Sequence, residues 1–87
     1  MPNLPLNVAL GLAIRRLREE RGISQEELGQ RTGLHRNHVG QIERAEMSPT
    51  LKSIETISAS LNIRPSELVA RAEELAARKP SHKPEAK

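Results

Sequence analysis

Within the stretch Ser24 to Arg44, SQEELGQRTGLHRNHVGQIER, arginine and side-chain amide groups, Arg36, Asn37 and Gln41 among them, have the chemistry that can read the edges of nucleic-acid bases. An arginine can donate two parallel hydrogen bonds to guanine, and the amide of Asn or Gln can bridge adenine in the same bidentate way. Other chemistries lack their residues. The chain has no cysteine, and His35 and His38, three apart, make two ligands without a third, a poor metal site. No serine is paired with a histidine, no nucleophile, base and orienting group fall together, and no glycine-rich loop follows a strand. The reading is therefore a non-enzyme without metal or cofactor and with no small-molecule ligand evident.

The elements that must position these residues are two short helices and a tight turn. Ser24 is an N-cap with Glu27 three residues on, the pair of a capping box. Leu28 supplies an apolar contact, Gly29 leaves room for a second helix to approach, and Gly33 can take the left-handed conformation that ends the helix. Beyond the turn, Leu34, Val39 and Ile42 share a buried face, which leaves Arg36, Asn37, Gly40, Gln41 and Arg44 on the remainder. Small residues at 29 and 33 with apolar residues at 28, 34, 39 and 42 meet the steric requirement of a helix-turn-helix, whose second helix enters the major groove of DNA.

Around this pair, Asn7 is the expected cap of a helix from Val8 to about Arg21 with a Leu10, Ile14, Leu17 stripe, closed by Gly22 and followed by Ile23 as a staple. Thr50 caps a fourth helix over Leu51 to Leu61, striped by Leu51, Ile54, Ile57 and Leu61 and stopped at Asn62. A fifth begins at Pro65, with Glu67 in its first turn, and its stripe of Leu68, Val69, Ala72, Leu75 and Ala76 runs to about Arg78. The organisation expected is a flexible arm at 1–6, one domain at 7–78 and a disordered basic tail at 79–87.

Composition bounds the rest. Eighty-seven residues suffice for one small domain, and without Phe, Tyr or Trp its core must be aliphatic. Such a core supplies only about 3–5 kcal/mol, which makes oligomerisation an expectation. The net charge of +3 hints at an anionic partner. Between Ser24 and Glu46, however, three arginines face four glutamates, and the basic excess lies in helix one and toward the C-terminus. No run reaches transmembrane length and the start lacks the form of a secretory signal, so no membrane partner and a soluble, cytoplasmic protein are expected.

The order of parts, RRLREERGISQEELGQRTG, a polar helix ending QIER, then SPTLKSIETISASLNI and RPSEL, resembles the phage-repressor (Cro/XRE-type) helix-turn-helix domains of prokaryotic transcription regulators over about residues 10–69. The small size is further similar to restriction–modification controller proteins, antitoxins and minimal phage regulators. The resemblance implies an all-α, compact five-helix lambda-repressor-like DNA-binding domain with its helix-turn-helix at helices 2 and 3, binding a near-palindromic operator in double-stranded DNA as a homodimer. It places Arg36, Asn37 and Gln41, with His38 beside them, at the positions that touch bases. Gln25, Arg44 and Lys52 are candidates for phosphate, and Arg18 and Glu43 match a pair that ties helix one to the end of the recognition helix. The chain departs from the pattern at Ala45, where many members have glycine, and at Arg64, in place of a common Ser cap. The stripe Leu68, Val69, Ala72, Leu75, Ala76 is longer than such a core needs, so it is read as core and dimer contact at once. A protein-interaction module that has kept this architecture without DNA binding is the alternative.

Overall fold

Most start and stop signals read from the sequence fall at helix ends. The computed structural model describes residues 4–77, and among these it contains five helices and no strand. They are α1 (Leu6–Glu20), α2 (Gln25–Thr32), α3 (Arg36–Glu43), α4 (Leu51–Ser60) and α5 (Pro65–Ala76). The expected tail at 79–87 and the first three residues of the arm lie outside the described residues.

The starts follow the capping logic with two changes. Ser24 Oγ accepts the Glu27 N–H at 3.0 Å and Thr50 Oγ1 accepts the Ser53 N–H at 3.0 Å, as their positions predict. Only half of the expected capping box at Ser24 is built, because the Glu27 carboxylate turns to Arg31 at 2.7 Å. The α5 start at Arg64 holds through the other half, since Glu67 Oε1 accepts the Arg64 N–H at 3.2 Å. Asn7 is not the cap of α1. Pro5, extended at φ −56° and ψ 145°, stands at that position and its carbonyl accepts the Ala9 N–H, so the helix begins before Asn7. Leu4 of the expected arm is tied down as well, its N–H donating to the Ala76 carbonyl at 3.1 Å.

Three of the stops are one motif. After α1, α3 and α4 the chain passes through a left-handed residue: Gly22 at φ 68°, Ala45 at φ 61° and Asn62 at φ 59°. In each, the left-handed residue and its successor donate back to the last turn: Gly22 to Glu19 and Ile23 to Arg18, Ala45 to Ile42 and Glu46 to Gln41, Asn62 to Ala59 and Ile63 to Ser58. This is the Schellman arrangement, which satisfies carbonyls that the helix leaves orphaned. Ala45 adopts it despite its Cβ, at a cost of about 1 kcal/mol.

The core joins Ala9, Leu10, Ala13, Ile14 and Leu17 of α1 to Leu28, Val39, Ile42, Ile57, Leu61, Leu68 and Ala72, with Ile23 as the buried staple. α1 packs mainly on α5 and also on α3, while α2 lies against α3 and α4. Burying a leucine or isoleucine of this set stabilises by about 1.5–3 kcal/mol. One residue expected in the stripe is absent from it: Leu51 is 85% exposed. It sits in the first turn at the edge of the buried face of α4, which is carried instead by Ser53, Ile57, Ser58 and Leu61.

Candidate nucleic-acid interface

The eight residues of α3 are held by backbone contact at both ends. At its start, a Cβ on Gly29 of α2 would lie 2.6 Å from the Leu34 carbonyl oxygen and 3.1 Å from the Arg36 nitrogen. At its end, a Cβ on Gly11 of α1 would lie 2.5 Å from the Ile42 oxygen and 2.6 Å from the Glu43 oxygen. Gly29 therefore does what its spacing predicts; Gly11 does the same on the other side and was not singled out by sequence. Its signal is its register, two turns before Arg18 on the same face of α1. Gly33 is left-handed at φ 79° and ends α2 as expected.

Between α2 and α3, Thr32 Oγ1 accepts the Leu34 N–H at 3.2 Å and donates to the Leu28 carbonyl at 2.8 Å, which stiffens the turn. The cap of α3 is His35, whose Nδ1 accepts the Asn37 N–H at 3.0 Å. The expectation of an uncoordinated histidine pair gave His35 no task. The geometry assigns it one, as the acceptor at the start of α3.

The far end of α3 is fixed by ions. Arg18 is 9% and Glu43 6% exposed. Arg18 Nε donates to Glu43 Oε2 at 2.7 Å, Nη2 to Oε1 at 3.1 Å and Nη1 to the Ile23 carbonyl at 2.9 Å. The hydrogen bond to Glu43 is the main reason the guanidinium is held above its ordinary range, against the opposing effect of burial. Gln25 joins them, its Nε2 donating to Glu43 Oε1 at 2.9 Å. With that amide engaged internally, what Gln25 can offer a phosphate is the free N–H groups at the start of α2.

The other side chains of α3 divide between core and solvent. Val39 and Ile42 are buried, Arg36 and Asn37 are exposed, and His38 and Gln41 are half-buried. Arg36 Nη1 lies 3.9 Å from Glu26 Oε1, a loose exposed pair that leaves its donors free. Arg44 is differently placed. Its guanidinium folds back over Gly40, with Nη1 2.9 Å from where a Gly40 Cβ would be, and binds Glu46 through both arms, Nε to Oε2 at 2.9 Å and Nη2 to Oε1 at 3.2 Å. The hydrogen bond from Arg44 holds the Glu46 carboxyl below the usual carboxylate range, and the same bond raises Arg44. Lys52, in the first turn of α4, is exposed.

The stripe on α5 divides. Leu68 and Ala72 are fully buried in the chain's own core and have no surface left for a partner, a correction to the expected seam. Leu75 and Ala76 pack against that core while keeping part of their surface, and Val69 is half-buried. A helical stripe cannot face both ways at every position, and Leu68 and Ala72 point into the core of a helix packed mainly on α1.

The chain matches the helix-turn-helix family over residues 14–68. It is 39% identical over 54 residues to the HTH-type transcriptional regulator SutR of Escherichia coli (strain K12), a match that spans 62% of this chain and 30% of that protein. The chain spans less than half the length of the first curated relatives it matches, between 26% and 43%. Among solved structures it is similar to the restriction-modification controller protein C.AhdI from Aeromonas hydrophila, with 39% identity and a TM-score of 0.69 over 70% of this chain and 92% of that one. It is also similar to the P22 c2 repressor protein in complex with a synthetic operator, with 30% identity and a TM-score of 0.64 over 68% and 89%.

Proposed function

The chain belongs to the helix-turn-helix family, and from that footing we propose that it is a sequence-specific transcriptional regulator that binds a near-palindromic operator in double-stranded DNA as a homodimer. The observation that carries the reading is the free face of α3: Arg36 and Asn37 exposed, His38 and Gln41 beside them, on a helix whose other side is buried and whose two ends are clamped. Arg36, Asn37 and Gln41 read bases, and Lys52, Arg44 and the start of α2 at Gln25 meet the flanking phosphates. The structure of the P22 c2 repressor on its operator supports placing such a helix on DNA. The likeness to C.AhdI makes restriction–modification control the first system to test, ahead of phage repression and antitoxin action.

One domain touches few base pairs, so useful discrimination comes from two copies related by a two-fold axis, with recognition helices about 34 Å apart or a small multiple of it. The pairing face we assign is the open part of α5, Val69, Leu75 and Ala76, extended by Leu4, which is exposed and bonded to Ala76. No helix of the described residues is long and apolar enough to cross a membrane. We propose a cytoplasmic regulator without enzymatic activity.

The test is a mobility-shift titration on the DNA upstream of the protein's own gene, against a random duplex. Replacing Arg36, Asn37 or Gln41 by Ala should cost about 1–3 kcal/mol on the specific site and far less on random DNA. Equal losses on both would move the residue to the phosphate class. The four glutamates between Ser24 and Glu46, against three arginines, favour a second reading, a protein-interaction module. Absence of any shift at low salt would select it.

A further inference from the structure

The turn after α3 differs from its two counterparts in one residue. In the Schellman turns that close α1 and α4, the residue after the left-handed position is Ile23, buried, or Ile63, packed against the core, the apolar contact that frequently accompanies the motif. After α3 the same place holds Glu46, which is exposed. Its N–H is fixed to the Gln41 carbonyl at 2.8 Å, so the carboxylate is anchored to the end of the recognition helix. From there it takes Arg44 in a two-armed grip, with contacts of 2.9 and 3.2 Å. A guanidinium meets a phosphate through the same parallel pair of N–H donors.

We propose that Glu46 is an intramolecular competitor for DNA phosphate, which occupies Arg44 in the free protein and sets how strongly the domain grips the DNA backbone. The proposal rests on the DNA-binding reading above and deepens it. Arg44 reaches a phosphate only by exchanging one anion for another. The free energy of its backbone contact is therefore reduced by that of the pair it gives up, and the reduction applies to every sequence alike, because phosphate carries no sequence information. The left-handed turn at Ala45 lies between the two residues that pair, Arg44 and Glu46.

The experiment is fluorescence-anisotropy titration of a random-sequence duplex, and of the specific site once known, with the intact chain, Glu46→Gln, Arg44→Gln and the double variant, at several salt concentrations. Exposed ion pairs predict that Glu46→Gln tightens binding about two- to fivefold on both duplexes. The salt dependence should steepen by up to about 0.9 in log–log slope, since one more arginine is free for phosphate. The gain should vanish when Arg44 is also replaced. Unchanged or weaker binding by Glu46→Gln overturns the proposal, because then the carboxylate only positions Arg44 or does nothing. A gain that persists without Arg44 overturns it too, since Glu46 would act only through net charge. If the intact chain binds no duplex even at low salt, the DNA-binding reading itself has failed and the competitor falls with it; intact binding with an unresponsive Glu46→Gln sinks the competitor alone.

Discussion

Removing the Glu43 carboxylate should take away most of the stability of the domain. That side chain is 2% accessible and accepts three hydrogen bonds, two from Arg18 and one from Gln25. In Glu43→Ala the Arg18 guanidinium stays largely buried with only the Ile23 carbonyl as a partner. Breaking a buried pair on one side costs about 3–5 kcal/mol. The aliphatic core supplies only about 3–5 kcal/mol, so the variant is left marginal or unfolded. Because no Trp or Tyr is present, unfolding must be followed by far-ultraviolet circular dichroism in urea. With a denaturant slope of about 1 kcal/mol/M for so small a domain, the midpoint should fall by about 3 M or more, or the variant should be unfolded without denaturant. The control is Arg18→Met with Glu43→Leu, which replaces the pair by apolar groups of similar length. It should recover to within about 1 kcal/mol of the intact chain, because no uncompensated charge remains. If Glu43→Ala costs under about 1 kcal/mol, or the double variant is as unstable as the sum of the singles, the pair is not the buried tie described above.

Three further outcomes follow from the same contacts, each read by thermal or urea unfolding. Ala45→Gly should stabilise by about 0.5–1 kcal/mol, the relief of left-handed strain outweighing the added freedom of the unfolded chain; a loss of stability would mean that the Ala45 Cβ makes a contact worth more than its strain. Gly11→Ala should destabilise by about 1–3 kcal/mol because its Cβ meets backbone oxygens, while Gly40→Ala, which meets only the movable end of Arg44, should be neutral or stabilising; equal effects would refute the close approach of α1 to α3. His35→Ala should cost about 1 kcal/mol and His35→Ser close to nothing, since only the acceptor matters; a serine variant as weak as the alanine one would show that the imidazole packs rather than caps.

How far these contacts can be foreseen depends on whether the physics is local. Ser24, Thr50 and Pro65 start helices, and Gly22, Gly33 and Asn62 stop them, through bonds to residues within a few positions, so their types and spacing suffice. Gly29 was legible for the same reason, lying one turn from the junction it accommodates. Gly11 was not, because the backbone it touches is some thirty residues away and a glycine inside a helix has no local signature. Leu51 has the spacing of a core residue, yet periodicity counts positions on one helix and cannot show that no neighbour stands opposite its first turn. The stripe of α5 fails in the mirror sense: its apolar excess is visible, but only packing shows that Leu68 and Ala72 belong to the inside. At the interface, the outward direction of Arg36 and Asn37 follows from the buried face of α3, whereas the engagement of Gln25 by Glu43 and of Arg44 by Glu46 depends on where side-chain tips meet, which spacing does not resolve.

The placement of the two constraining glycines explains how α3 is held without help from its outward side chains. An isolated helix of eight residues is marginal in water, so α3 owes its existence to what surrounds it. What surrounds it acts almost wholly through its backbone and its buried side. Gly29 meets the peptide groups at its start and Gly11 those at its end, and Val39 and Ile42 fill the core between. The Ala45 turn closes its last carbonyls, and Glu43 is the one polar side chain on it that the fold needs. None of these contacts uses the side chain of Arg36, Asn37 or Gln41. The helix axis and register are thus set by features common to any residue at those positions, and the outward side chains are left to be chosen for what they bind. A domain built this way fixes the axis and register of α3 through its backbone and its buried side, and leaves the outward side chains of Arg36, Asn37 and Gln41 out of those contacts.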